Sequence, residues 1–206
     1  MEQKECDFSP MKAELKEHLQ KLIADMQQSL ERLDNESQCL LGRFEQIRRE
    51  FAYIESTAAS YYLNCYLSSF TDKYLDISIG VQHLSQRRHG ALIVIQRNDG
   101  LDSLITPGIP VGAMLTYSLM ESIFFPGSPM HDGAVLIRAN QIVSAANVLP
   151  LASVFVGEEK LGTRHRAALG LTERSDALVI VVSEETGKAS FALNGKLYPL
   201  STGGTM

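Results

Sequence analysis

The sequence predicts an α/β fold: a mixed central β-sheet flanked by helices, preceded by an N-terminal α-helical hairpin. Three observations lead there. Apolar residues recur at helical spacing from Leu15 to Cys65. Beyond that segment, short runs rich in β-branched residues alternate with helical spans. Asn194-Gly195, the strongest short hairpin signal in the chain, sits between two such runs. Hairpins mixed with helix-connected buried strands imply a sheet with both parallel and antiparallel neighbours, covered by helices.

The elements follow in order. Ser9-Pro10 is a helix start, with Ser as N-cap and Pro at the first helical position. Leu15, Leu19, Leu22, Met26, Leu30 and Leu33 then repeat at helical spacing until Asp34-Asn35 breaks the pattern. Asn35 with Gln38 resembles a capping box for a second helix. In that helix Leu40, Phe44, Ile47, Phe51, Ile54, Ala58, Tyr61 and Cys65 alternate steps of four and three, a heptad seam. Neither helix is apolar all round, so the two are expected to pack on each other as a hairpin. No Gly- or Pro-rich linker follows Phe70, which predicts a rigid junction. The expected organisation is a helical hairpin over residues 1–70, for assembly or regulation, and a second unit over 71–206 that carries the chemistry.

Tyr74, Ile77, Val81 and Leu84 predict a further amphipathic helix, ended by Arg87, Arg88 and Gly90. Residues 91–95 read as a buried strand closed by an Asn98-Asp99-Gly100 turn. Pro107 and Pro110 bracket a predicted loop. Met114, Leu115, Leu119 and Ile123 mark a helix that stops at Phe125-Pro126-Gly127. Residues 134–137 and 142–146 are two strands joined tightly through Ala139-Asn140. A short helix is expected over 164–171, the most β-rich stretch of all over 177–182, and a closing hairpin from 191–193 and 197–200.

Bulk composition narrows the function. The 206 residues are 45% hydrophobic and 21% charged, with no Trp, as in an ordinary globular protein. A net charge of -5 argues against a general nucleic-acid coat, which needs a basic face. It leaves room for a phosphate compound, which needs only a local cluster of donors. Cys6, Cys39 and Cys65 are odd in number and lack metal-ligand spacing, and are read as unpaired thiols in a reducing compartment. The first ten residues hold Glu2, Glu5 and Asp7 and no apolar core of a signal peptide. No apolar run approaches the roughly 20 residues of a membrane span. The expectation is a cytoplasmic protein with neither nucleic acid nor membrane as partner.

Three polar clusters interrupt the apolar framework. In Pro129-Met130-His131-Asp132-Gly133-Ala134, Gly133 removes a side chain where a ligand can approach the backbone. Asp132 offers a carboxylate to a metal ion or a hydroxyl, although Asp-Gly is also an ordinary turn. Gly162-Thr163-Arg164-His165-Arg166 opens a predicted helix with Thr163 as N-cap. Free N–H groups at a helix start bind phosphate with help from the dipole, and Arg164 adds a forked cation. Arg164 and Arg166 lie two apart and cannot share a helix face, so one grips substrate while the other braces the site or reaches a neighbouring subunit. Ser183-Glu184-Glu185-Thr186-Gly187 follows the 177–182 strand, where Ser183 can bond a phosphate and Glu184 or Glu185 can hold a divalent cation. This inventory suits nucleotidyl transfer, in which cations neutralise phosphates while a hydroxyl attacks in line.

From about Leu75 to Leu200 the chain resembles the diadenylate cyclase (DAC) domain family. The resemblance is carried by Gly90-Ala91-Leu92-Ile93-Val94-Ile95, Ser128-Pro129-Met130-His131-Asp132-Gly133-Ala134, Leu149-Pro150-Leu151, Gly162-Thr163-Arg164-His165-Arg166-Ala167-Ala168, Ser175-Asp176-Ala177 and Val182-Ser183-Glu184-Glu185-Thr186-Gly187, in the family's order. It implies condensation of two ATP into cyclic di-AMP (c-di-AMP) with release of pyrophosphate, using Mg²⁺ or Mn²⁺. By the same resemblance Asp132 serves the ribose 3′-hydroxyl, Gly133 and Ala134 let the nucleotide lie close, and Leu149 and Leu151 wall the adenine. Gly162, Thr163, Arg164, His165 and Ser183 contact substrate, with Arg164 and Arg166 catalytic, and His131 and Glu185 are the metal candidates. The N-terminal helices resemble the sporulation-type subclass.

If each domain holds one ATP, the two reacting pairs meet only across a two-fold axis. A face-to-face homo-oligomer is then expected, a hexamer among the options. Two rivals remain: a metal-dependent nucleotide phosphohydrolase, prompted by His131-Asp132, and a catalytically silent nucleotide-sensing oligomer.

Overall fold

The computed structural model describes residues 9–33, 39–152 and 161–201. They form helices α1 (Ser9–Glu31), α2 (Leu41–Ser68), α3 (Tyr74–Arg87), α4 (Tyr117–Ile123) and α5 (Thr163–Thr172). The strands are β1 (Ala91–Ile95), β2 (Ile109–Met114), β3 (Ala134–Arg138), β4 (Gln141–Asn147), β5 (Leu178–Val182), β6 (Ala189–Leu193) and β7 (Lys196–Leu200). The capping box expected at Asn35 and Gln38 lies outside the described residues.

The seven strands make one sheet in the order β2-β4-β3-β1-β5-β6-β7. Only β1 and β3 pair in parallel; every other neighbour is antiparallel. The expected mixed sheet is therefore present. β1 and β5 are continuous apolar runs because both faces of the sheet are covered. Ala91, Ile93 and Ile95 point into one core with Leu178, Ile180 and Val182, packed under α2, α3 and α4. Leu92, Val94, Val179 and Val181 point into the other, packed under α5 and the loop holding Leu101 and Ile105. Asn194 and Gly195 both have left-handed φ, as the predicted two-residue hairpin between β6 and β7 requires.

Two elements differ from expectation. The predicted loop around Pro107 and Pro110 contains β2, and Met114 ends that strand instead of opening a helix. β2 is an edge strand whose ladder to β4 shifts between Pro110 and Ala113, so the proline costs no central hydrogen bond. The helix begins three residues later, where the Thr116 side chain accepts from Leu119 N at 3.2 Å.

The helical hairpin forms as expected, but only part of the predicted pattern is buried, Leu22 on α1 and Ile54 on α2. α1 turns Leu15, His18, Leu22, Asp25 and Ser29 inward, while Leu19, Ile23, Met26, Leu30 and Leu33 stay exposed. His18 Nδ1 lies 2.7 Å from Glu50 Oε1, a bond that outweighs burial and holds the Glu50 carboxyl below its usual pKa. On α2, Phe44 and Phe51 of the seam are exposed, while Ala59, Leu63 and Leu67, off the seam, are buried against the sheet. Tyr66 meets Phe191 of β6 edge-on at 6.5 Å. The second half of α2 thus belongs to the core of the sheet. Cys39 is a free, exposed thiol, whereas Cys65 is disulfide-bonded, against the reading of three unpaired thiols.

Candidate active site

Pairing across the sheet assembles the candidate site. Because Ile93 pairs with Val135 in parallel and Ala91 with Val182 in antiparallel register, three chain ends lie side by side. They are the amino ends of β1 and β3 and the carboxyl end of β5. Gly90, Asp132-Gly133 and Ser183-Glu184 therefore share one edge of the central sheet. α5 is anchored over the same edge, with Arg164 Nη1 donating to Glu184 Oε2 at 2.9 Å. In a wholly parallel sheet a site gathers at carboxyl ends; here the antiparallel β5 brings one carboxyl end to two amino ends.

Gly133 is required on two counts. Its φ of +104° disfavours any L side chain, and a Cβ there would lie 2.8 Å from the backbone of Ala146 and Asn147. Ala134, fully buried, opens β3. A residue that sequence reasoning missed holds this corner. Asn147, 1% exposed, donates to Ala134 O at 2.7 Å and accepts from Gly108 N and Ser144 Oγ at 3.0 and 2.9 Å. A lone amide at the end of an apolar strand was the available signal, since such a group is buried only when fully bonded.

Asp132 is exposed and, among the described residues, has no hydrogen-bond or ion-pair partner, so its carboxylate faces outward unspent. His131 is half-buried, and its Nδ1–H donates to Ser128 O at 2.5 Å. That bond selects the tautomer whose Nε2 lone pair is free for a cation. Glu185 is exposed on the Ser183–Gly187 turn, which closes through Gly187 N to Ser183 O at 2.9 Å. Among the described residues no three His, Cys, Asp or Glu side chains gather at one point. The donors suit Mg²⁺ or Mn²⁺ chemically, but the described residues supply too few to cage an ion; such ions normally complete their shell with phosphate oxygens and water.

The N-cap of α5 is Gly162, with extended backbone, not Thr163, and it makes no side-chain cap bond. This corrects the expected role of Thr163, which is the first helical residue and exposed. The first bond of the helix runs from Arg166 N to Gly162 O, so the N–H groups of Thr163, Arg164 and His165 are not used inside it. Arg166 is half-buried, and its carbonyl accepts from Ala152 N at 3.0 Å. That bond ties α5 to the Leu149–Leu151 segment. Gly170 lets the two backbones touch: a Cβ there would sit 2.5 Å from Leu151 C. Leu149 is buried in the core under α5, and Leu151 is 42% exposed beside it.

Burial pushes the His165 pKa below its ordinary value, so the ring is neutral near pH 7. An unfolded chain takes up a proton at His165 near 6.5 that the folded one refuses. The resulting stability is whole above 6.5 and is lost as pH falls toward the lowered value. The melting temperature should therefore drop more steeply from pH 7 to pH 5 in the parent than in His165→Gln; equal slopes would remove burial of a neutral ring as the cause.

Residues 78–197 match the family described as DisA bacterial checkpoint controller nucleotide-binding, the DAC domain. The chain belongs to the DAC family. Residues 1–70 match a second family, diadenylate cyclase CdaS, N-terminal. A diadenylate cyclase CdaS from Bacillus thuringiensis is 52% identical over 181 residues, covering 87% of this chain and 90% of its own. A cyclic di-AMP synthase CdaS from Bacillus subtilis is 44% identical and covers 97% and 96%. The crystal structure of a hypothetical membrane spanning protein from Bacillus cereus is 48% identical, covers 93% and 94%, and superimposes with a TM-score of 0.78. Among the described residues no helix is long and apolar enough to cross a membrane. The chain is thus an enzyme of the diadenylate cyclase family, with a CdaS-type N-terminal segment ahead of its DAC domain.

Proposed function

We propose that the protein condenses two ATP molecules into c-di-AMP with release of two pyrophosphates, each reaction centre being completed by a second copy of the domain. The observation that carries this reading is the meeting of Asp132-Gly133, the Gly162–Arg164 helix start and Ser183-Glu184 at one sheet edge.

Asp132 accepts or orients the proton of a ribose 3′-hydroxyl. The 3′-oxygen bonds to the α-phosphorus of the facing nucleotide as the bond from that phosphorus to the bridging β-phosphate oxygen breaks, and pyrophosphate leaves. Gly133 and Ala134 admit the nucleotide against the backbone. The N–H groups after Gly162, the Thr163 hydroxyl, the Ser183 hydroxyl and the Arg164 guanidinium bind phosphate oxygens. Neutral His165 donates without adding charge. Arg166 braces α5 or reaches the facing copy, and Leu151, backed by buried Leu149, packs on adenine. His131, with Glu185 or its neighbour Glu184, would hold Mg²⁺ or Mn²⁺, which neutralises phosphate charge. The Arg164–Glu184 pair is partly exposed, and such pairs contribute at most about 1 kcal/mol, so an incoming triphosphate displaces Glu184 readily.

Pairing is supported by the chemistry, since c-di-AMP contains two nucleotides and each 3′-hydroxyl must be aimed at the α-phosphorus of the other; one ATP closing on itself would give a cyclic mononucleotide instead. It is supported too by exposed apolar faces on the hairpin: Ile23, Met26, Leu30 and Leu33 of the first helical segment, Phe44 and Phe51 of the second. We assign residues 1–70 to assembly of a homo-oligomer and 71–206 to catalysis, in the cytoplasm.

Mass spectrometry of the product from purified protein, ATP and Mn²⁺ tests the reading. c-di-AMP plus pyrophosphate is expected. ADP or AMP with phosphate would make it a phosphohydrolase, and unchanged ATP a silent sensor.

A further inference from the structure

Gly90 lies between α3 and β1, directly beneath the Arg164 side chain. We infer that it is a positioning residue for Arg164: its missing side chain leaves the floor on which the guanidinium lies, and so sets where that cation meets phosphate. The inference rests on the phosphate role proposed for Arg164.

A Cβ on Gly90 would lie 2.6 Å from Arg164 Nη1, 2.8 Å from Arg164 Cζ and 3.0 Å from Glu184 Cβ. Ordinary contact needs about 3.5–4.0 Å, so the guanidinium would have to retreat by about 1 Å. The backbone gives no other reason for glycine here, since Gly90 is not among the residues of positive φ. Gly133 and Gly170 differ, because there an added Cβ meets main chain. At position 90 the first atoms met are the far end of a long side chain, which can move without unfolding anything.

The floor itself cannot yield. Arg88 caps α3 in the left-handed conformation with its N–H on Ser85 O at 3.1 Å, and His89 N donates to Leu84 O at 2.9 Å. Ser85 Oγ, buried, donates to Gly187 O at 2.6 Å, clamping this corner to the turn that carries Glu184. Ala91 is already in register with Val182. Both walls are pinned, so the displacement falls on Arg164. A forked donor depends on direction, and a misplacement of about 1 Å in a site can cost on the order of 100-fold.

The test uses binding of 3′-deoxy-ATP, which lacks the attacking hydroxyl and cannot cyclise, to the full chain. Gly90→Ala and Gly90→Ser should weaken binding about tenfold, the size of one charge-assisted hydrogen bond. Their melting temperatures should stay within about 2 °C of the parent. In an Arg164→Ala background, Gly90→Ala should add no further loss, because its effect passes through the missing guanidinium. Equal weakening in both backgrounds overturns the inference, and so does a large fall in melting temperature. A crystal structure of Gly90→Ala reads the claim without nucleotide: a shifted guanidinium supports it, an unmoved one ends it. If Arg164→Ala alone left 3′-deoxy-ATP binding intact, the phosphate role would fall while that crystal structure still decided the positioning.

Discussion

Asp132→Asn is expected to reduce c-di-AMP formation by roughly 10²–10⁴-fold, the usual weight of a positioned acid or base, while 3′-deoxy-ATP still binds within a few-fold of the parent. The substitution keeps the shape of the side chain and removes only its charge and proton affinity. Asp132 is exposed and, among the described residues, bonds to nothing in its own chain. No fold interaction is therefore lost, and surface changes of this kind stay within about 0.5 kcal/mol. The separation of turnover from binding is what identifies a group acting on the 3′-hydroxyl. Near-normal turnover in Asp132→Asn, measured as pyrophosphate release, would falsify that role.

The second large effect concerns the boundary between the two family segments. Deleting residues 1–69 should give a chain that does not fold, whereas deleting 1–38 should leave the sheet intact. The sequence families divide between residues 70 and 78, but the core does not. Ala59, Leu63 and Leu67 sit in the same buried cluster as β1, β5 and β6. Loss of each such leucine costs about 2–5 kcal/mol, against a total stability of about 5–15 kcal/mol for a domain. Among the described residues none before Ala59 belongs to that cluster, and the segment before residue 34 carries the exposed Ile23, Met26, Leu30 and Leu33. Thermal melting and light scattering of the two deletions separate folding from assembly. If α1 holds catalytic faces apart, the shorter deletion raises specific activity; an unchanged value removes the regulatory role. A folded, cooperative 70–206 fragment would show that α2 is dispensable to the core.

Much of the fold was legible because its strongest elements are locally consistent. β1 and β5 are uninterrupted apolar runs rich in β-branched residues, as expected of strands covered on both faces. Asn194-Gly195 adopts the two left-handed conformations that its sequence favours. β2 was hidden for a physical reason. Pro107, Gly108, Pro110 and Gly112 carry every local sign of a loop, and only the neighbouring β4 supplies the pairing that makes 109–114 extended. The heptad seam misled in a similar way. A period identifies a helix but not which face its neighbours will cover, and the sheet took Ala59, Leu63 and Leu67 while Phe44 and Phe51 stayed outside.

For the candidate site, the chain order alone supplied the chemical inventory: an Asp-Gly before a strand, a glycine-led cationic helix start and an acidic turn after a β-rich run. Those are local patterns, and local patterns are set by residues near each other in the chain. Tertiary structure decided that the three converge, through the parallel pairing of β1 with β3 and the antiparallel pairing of β1 with β5. It also decided that Gly162, not Thr163, caps α5, that Asn147 locks the β3 corner, and that Gly90 lies under Arg164. The last two depend on contacts between residues far apart in the chain, whose free energy is gained only once the sheet has formed, and no periodicity along the chain encodes it.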